Sequence, residues 1–179
     1  MAAANGVEVM QNQLTRYFVA ALAIALAGCS GKSTPGETRL TYASASPEDA
    51  CRRVLAALAA EDAATLDSLR LTRFEHDSIL VPQLPIAQNP ETTDLMFAGY
   101  LHQQNNVKGV RRALADYGGL QLHLVEVKFT EPENRYGTLI VHRGTRVLVS
   151  DPSGTEFELP IFGSMLEDNG NYKLVSIQD

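Results

Sequence analysis

The sequence predicts an α+β domain in which N-terminal helices pack on a curved four- or five-stranded antiparallel sheet. Three observations carry that expectation. Before residue 120 the apolar residues recur at spacings of three and four; after it they alternate. The first half is punctuated by helix caps and the second by Gly, Asn and Asp turns. The two kinds of element are segregated along the chain, which favours helices gathered on a sheet over alternating βαβ units.

The first helix is announced by Ser46-Pro47-Glu48-Asp49, which offers an N-cap, a proline at the first helical position and acidic residues suited to the helix dipole. Cys51, Val54, Leu55, Leu58 and Ala59 then share one face, so Cys51 reads as a small buried hydrophobe. Asp62 is placed to cap a second short helix that buries Leu66 and Leu69. Over 70–91, prolines at 82, 85 and 90 forbid one long regular element, and a loop wrapping over the core is expected. His76 lies there between Glu75 and Asp77. Adjacent residues do not converge on one ion, so an acidic turn is expected instead of a metal site. Asn89-Pro90-Glu91 suggests a cap for a helix through Leu95, Met96, Tyr100 and Leu101. After Asn105-Asn106 a separate helix is expected, with Val107, Val110, Leu114 and Tyr117 on one face and Gly118-Gly119 as its stop.

From Leu120 the period is two. Leu120, Leu122 and Leu124 alternate with Gln121 and His123, and then Val125, Val127 and Phe129 alternate with Glu126 and Lys128. The phase slips between Leu124 and Val125, as a β-bulge requires if one face stays buried. Residues 136–150 form a second extended region, either one long strand or a hairpin turning at Arg143-Gly144. Asp151-Pro-Ser-Gly154 is a turn, and 156–166 is a strand interrupted or edged at Pro160. Asp168-Asn-Gly170 is another turn, and 172–177 is the last strand.

Residues 1–28 read as a leader. The uncharged run 17–27 is 11 residues long, and at about 1.5 Å per residue a helix of that length crosses only about half of a ~30 Å hydrocarbon core. Such a run suits a secretory h-region, with Arg16 and the amino terminus as a thin positive flank. Glu8 opposes that flank if translation starts at Met1, and Met10 is the alternative start. The run closes on Leu26-Ala27-Gly28-Cys29, which resembles the lipobox of bacterial lipoproteins at each of its four positions. The resemblance implies cleavage between Gly28 and Cys29 and acylation of Cys29, which would anchor the chain to a membrane. Ser30 follows where Asp would signal inner-membrane retention, so the periplasmic leaflet of the outer membrane is the expected location. Residues 29–45, rich in Ser, Thr, Gly and Pro, read as a flexible tether, and 46–179 as a single domain.

The chain carries 15 Lys and Arg against 21 Asp and Glu, a formal net charge of −6. With no basic stripe, this argues against nucleic acid as a partner. If Cys29 is acylated, Cys51 has no partner for an intramolecular disulfide. No phosphate loop, G-x-S-x-G, H-E-x-x-H, calcium loop or Cys-x-x-Cys is present, so no catalytic, metal or cofactor residue is assigned from motifs.

Residues 46–179 also resemble the NTF2-like (cystatin-like) superfamily. The features that carry the resemblance are the helix ending Ala59-Ala-Glu-Asp62, the bent late strands and the closing Glu167-Asp-Asn-Gly-Asn-Tyr-Lys-Leu-Val175. Tyr172 stands where that superfamily more often has Trp, and the Pro-rich insert is not general to it. The resemblance implies a cone around an apolar pocket, for which Tyr100, Tyr117 and His123 are the candidate lining residues. His102, Asp116 and His142 are further polar candidates. His123 points away from Leu122 and Leu124 and reads first as a solvent-facing strand histidine. Two functions follow as expectations: a noncatalytic module binding an envelope protein or a small apolar ligand, or a small-pocket enzyme of the isomerase or dehydratase kind.

Overall fold

A computed structural model describes residues 39–88 and 93–178. The leader with Gly28 and Cys29 and the Asn89-Pro90-Glu91 cap lie outside the described residues, as do the side chains of Leu95 and Met96. Among the described residues no helix is long and apolar enough to cross a membrane.

The fold is α+β: helices packed on a curved, five-stranded antiparallel sheet. Helix α1 (Pro47–Ala59) begins as its caps dictate, with the Ser46 hydroxyl accepting the Asp49 N–H at 3.1 Å. Helix α2 (Ala63–Leu69) starts at Asp62, whose carboxylate accepts the Thr65 N–H at 3.0 Å. Cys51, Val54, Leu58 and Leu66 are fully buried.

Residues 70–88 are not a loop but a chain of short helical turns: α3 (Arg73–Glu75), a π turn (His76–Leu80) and two 3-10 turns (Val81–Gln83 and Pro85–Gln88). Pro82 and Pro85 fall inside the short 3-10 turns, where a missing N–H costs little. Helix α4 (Thr93–Tyr117) is one continuous helix of 25 residues, so the break expected at Asn105-Asn106 does not occur. Asn106 lies on the buried face, in phase with Val110 and Ala113, and its side-chain oxygen accepts the Ile177 N–H at 3.0 Å. A mid-helix asparagine normally weakens a helix by competing for local backbone bonds. Here its amide is spent on another segment. One turn on, a Cβ at Gly109 would lie 2.1 Å from the Ile177 carbonyl oxygen, so the backbones meet where only glycine fits. The helix ends as expected, with Gly119 at φ +77° donating to the Leu58 carbonyl.

The sheet runs β1 (His123–Tyr136), β2 (Leu139–Ser150), β4 (Met165–Asp168), β5 (Asn171–Leu174), with β3 (Glu156–Glu158) also on β2. The bulge expected after Leu124 is there: Leu124 faces Val149 and Glu126 faces Leu148, leaving Val125 over. The second extended region begins later than residue 136. β1 continues through Pro132 with a second shift between Glu131 and Asn134, and the turn is Gly137-Thr138, with Gly137 at φ +59°. Pro132 is tolerated because β1 is an edge strand and the register slips beside it. The open choice over 136–150 resolves to one strand, β2. The interruption near Pro160 separates β3 from β4, and Asn169-Gly170, both at positive φ, close the β4–β5 hairpin.

The domain starts earlier than residue 46. Ser44 exchanges two backbone hydrogen bonds with Tyr172, at 2.8 and 2.7 Å, so the last residues assigned to the tether are built into the sheet.

Adjacent residues of a strand point to opposite faces, and in β4 both faces are buried. Met165 joins the main core with Leu58, Leu66, Val147, Val149 and Leu174, under α1, α2 and α4. Leu166 joins a second cluster with Leu71, Ile79, Leu80 and Leu139. The Pro-rich insert thus covers the sheet face away from the helices.

Candidate functional site

Three polar arrangements stand out. The first is buried under the insert. Thr72-Arg-Phe-Glu75 is a capping box that opens α3, and Glu75 serves a second purpose. Its carboxylate receives the Lys173 ammonium at 2.8 Å on both oxygens, the N–H and hydroxyl of Thr41 at 2.6 and 2.8 Å, and those of Thr72 at 2.8 Å each. The Lys173 and Glu75 side chains are 0% and 2% exposed. Burial alone would raise the Glu75 pKa, but the Lys173 ammonium and the threonine donors outweigh it and hold the carboxyl below the usual range. Every acceptor site is used, which marks a structural clamp joining the N-terminal segment, α3 and β5.

The second arrangement lies on the helix-side face. His142 sits opposite Met165, with Nε2 2.7 Å from Glu167 and Nδ1 3.7 Å from Glu133. Its ring stacks on Phe129 with centroids 4.6 Å apart, and Tyr172 lies at 5.8 Å. Burial, then the hydrogen bond to Glu167, raises the Tyr172 pKa. His142 is an even position and Val147 and Val149 are odd, yet all share this face. A phase change between them is required, and Gly144 at φ +64° lies there. The group His142, Glu167 and Tyr172 can relay a proton. Its side chains fill their own space, with His142 13% exposed.

The third is a slot beside β2 of about 400 Å³, partly open to solvent and predominantly polar. Arg143, Gly144, Thr145 and Arg146 form one wall, Phe162, Gly163, Ser164 and Gln178 another, with Thr130, Glu131 and Glu158 at the rim. Arg143 pairs with Glu131 at 2.9 Å and Arg146 with Glu158 at 3.6 Å. The Thr145 hydroxyl oxygen is buried there without a hydrogen-bond partner.

The residues named from sequence are dispersed. Tyr100 is 52% exposed on α4. Tyr117, partly buried, packs against the main core. Seventeen residues of helix separate the two by about 25 Å. His123 is exposed at the start of β1, as its alternation implied. His102 is partly buried: its Nε2 lies 2.9 Å from the Asn106 amide nitrogen and its ring stacks on His76 at 5.3 Å. Because Asn106 gives its oxygen to the Ile177 N–H, its nitrogen must donate to His102, so this histidine accepts and is neutral. Burial, then the neighbouring His76, lowers its pKa accordingly. Cys51 is free and its thiol is pushed up to about 12 by burial, which makes it inert. Among the described residues no group of three His, Cys, Asp or Glu side chains is arranged to hold a metal ion.

Sequence reading missed Glu75 and Lys173, which lie 98 residues apart, and the joining of His142 to Glu167 and Tyr172. The capping-box spacing of Thr72 and Glu75 was a usable signal for one end of the clamp. No family model matches the chain, and neither the curated proteins nor the solved structures contain a match to it.

Proposed function

We propose that this chain is a lipid-anchored protein of the cell envelope, held by acyl chains on Cys29 at the periplasmic leaflet of the outer membrane, whose domain binds a partner or ligand at its surface. The anchor rests on the lipobox at Leu26-Ala27-Gly28-Cys29 and on the energetics of several buried acyl chains. The binding role rests on one observation above all: the space between helices and sheet is filled by Leu58, Leu66, Met165 and Leu174, each at most 1% exposed. The NTF2-like resemblance remains part of this proposal, as a cone packed solid and working from its outside. Fractionation after labelled fatty-acid feeding tests the anchor. The parent should appear labelled with membranes and Cys29→Ala unlabelled in the soluble fraction; label on the variant would end the lipoprotein reading. Crosslinking in the envelope tests the binding role, with a discrete adduct expected.

A second reading is favoured by the His142, Glu167 and Tyr172 group: a small-pocket enzyme of the isomerase or dehydratase kind. Native mass spectrometry of protein taken from the periplasm separates the two. A retained small molecule that is lost on His142→Ala would support catalysis, and a clean apo mass counts against it.

A further inference from the structure

The outer edge of β5 gathers three separate parts of the chain. Ser44 pairs with Tyr172, the Leu71 N–H donates to the Leu174 carbonyl at 2.6 Å, and the His102 ring donates to the Val175 carbonyl. Segment 41–44, the start of α3 and the first half of α4 are thus brought to one end of the sheet, opposite the β1 edge. Two shorter links draw them closer. The Thr41 N–H donates to Glu75 at 2.6 Å, and a Cβ at Gly99 would lie 3.1 Å from Asp77 and 3.2 Å from Arg73.

Each of these segments carries an exposed aromatic residue beside its point of attachment. Tyr42 follows Thr41 and is 64% exposed, Phe74 precedes Glu75 and is 70% exposed, and Tyr100 follows Gly99. These are the three most exposed of the large hydrophobic residues left uncovered among the described residues. Their backbone is held. Glu75 and Ile79 take the buried side of the α3 turn, which leaves Phe74 outside, and the Arg53 guanidinium donates to the Tyr42 carbonyl at 2.9 Å. The other partners of Arg53 are the Ala43 carbonyl and the Ser44 hydroxyl. All three are uncharged, so a positive charge stays beside Tyr42 in a chain whose net charge is −6.

The same end is where the chain arrives from Cys29. Ten residue steps separate Cys29 from Arg39, and even drawn straight they reach no more than about 36 Å. We infer that this end of the domain docks on the lipid surface, with Tyr42 and Phe74 seated at the water–lipid interface; the inference rests on the acyl anchor proposed above. A fluid surface asks for no matching shape from side chains on separate segments, and tyrosine sets its ring among the acyl carbons with its hydroxyl at headgroup level. The charge of Arg53 offsets locally the repulsion between an acidic domain and anionic headgroups. Because the anchor supplies the attachment, these contacts need only orient the domain, and weak ones suffice.

The chain contains no tryptophan, so a single introduced one reports alone. The full lipoprotein, recovered from membranes and reconstituted into vesicles of phosphatidylcholine and phosphatidylglycerol, would carry Phe74→Trp, Tyr42→Trp or, as a control on the exposed part of the opposite edge strand, Val125→Trp. Bromine on the acyl chains should cut the emission of the first two by at least about twofold and leave the control unchanged, since only a ring at the interface reaches the chains. Melting like that of the parent shows that each variant is folded. Equal emission of Phe74→Trp and Tyr42→Trp in brominated and plain vesicles, with the protein still floating with them, overturns the docking and leaves the anchor standing. Shielding of both from acrylamide without quenching by bromine assigns the patch to a protein partner and overturns it too, as does quenching of Val125→Trp to the same extent. Failure to float, with no acyl chain in the mass of the protein, would instead remove the anchor, and the docking with it.

Discussion

The two faces of the sheet are closed by different physics. Under α1, α2 and α4 the closure is apolar and broad, built from residues such as Leu58, Leu66, Val147 and Met165. Under the Pro-rich insert it is small, with five buried apolar residues in its cluster, and a buried ion pair sits beside them. An insert broken into turns of three to five residues has no long helical stripe to offer. It gains its hold through Glu75, which gathers donors from Thr41, Thr72 and Lys173. Apolar closure tolerates gradual change, whereas the clamp depends on charges that must be removed together.

The largest effect should come from breaking the clamp on one side. Lys173→Met leaves a buried carboxylate without its cation and should cost about 3–5 kcal/mol in urea unfolding. Glu75→Gln added to it removes the second charge and keeps one oxygen, for the donors of either Thr41 or Thr72 but not both, so part of the loss should return. On the helix face, Leu58→Ala should cost about 2–5 kcal/mol through lost contact and a cavity, and no second change at a charged site will restore it. A recovery there would show that the two faces do not differ as argued.

A smaller effect should follow Asn106→Ala, which strands the Ile177 N–H and the His102 acceptor; about 1–3 kcal/mol is expected for each group left unpaired. The smallest is a pH dependence. His102 is neutral in the fold, with its pKa held below the free value of about 6.5. The unfolded chain therefore binds a proton that the folded one does not, so stability should fall as pH drops below about 6.5. His102→Gln should flatten that slope in melts between pH 7 and pH 5. An unchanged slope would place the titration elsewhere.

What could be read from the sequence was local. Ser46, Asp62, Gly118-Gly119 and Asp168-Asn-Gly170 act within a few residues of themselves, and the phase slip at Leu124 is a property of one strand. Asn106 misled because its composition argues for a break, while its partner, Ile177, lies 71 residues away. The alternation of β1 is legible only as far as Phe129, because the second register shift, between Glu131 and Asn134, is set by its pairing with β2. The insert's destination depended on Glu75 finding Lys173, and the group at His142 on the register of three strands. None of these pairings leaves a mark on spacing.

The attachments made by residues 171–178 bear on the order in which the molecule can be assembled. Tyr172 holds Ser44, Lys173 holds Glu75, Leu174 holds Leu71, and Ile177 holds Asn106. Four separate earlier parts of the chain are thus joined through a segment that leaves the ribosome after all of them. Until it emerges, the helices have only part of their core and the insert has no clamp, so the nascent chain stays open. A domain joined in this way closes as a unit only once residues 171–178 have been made.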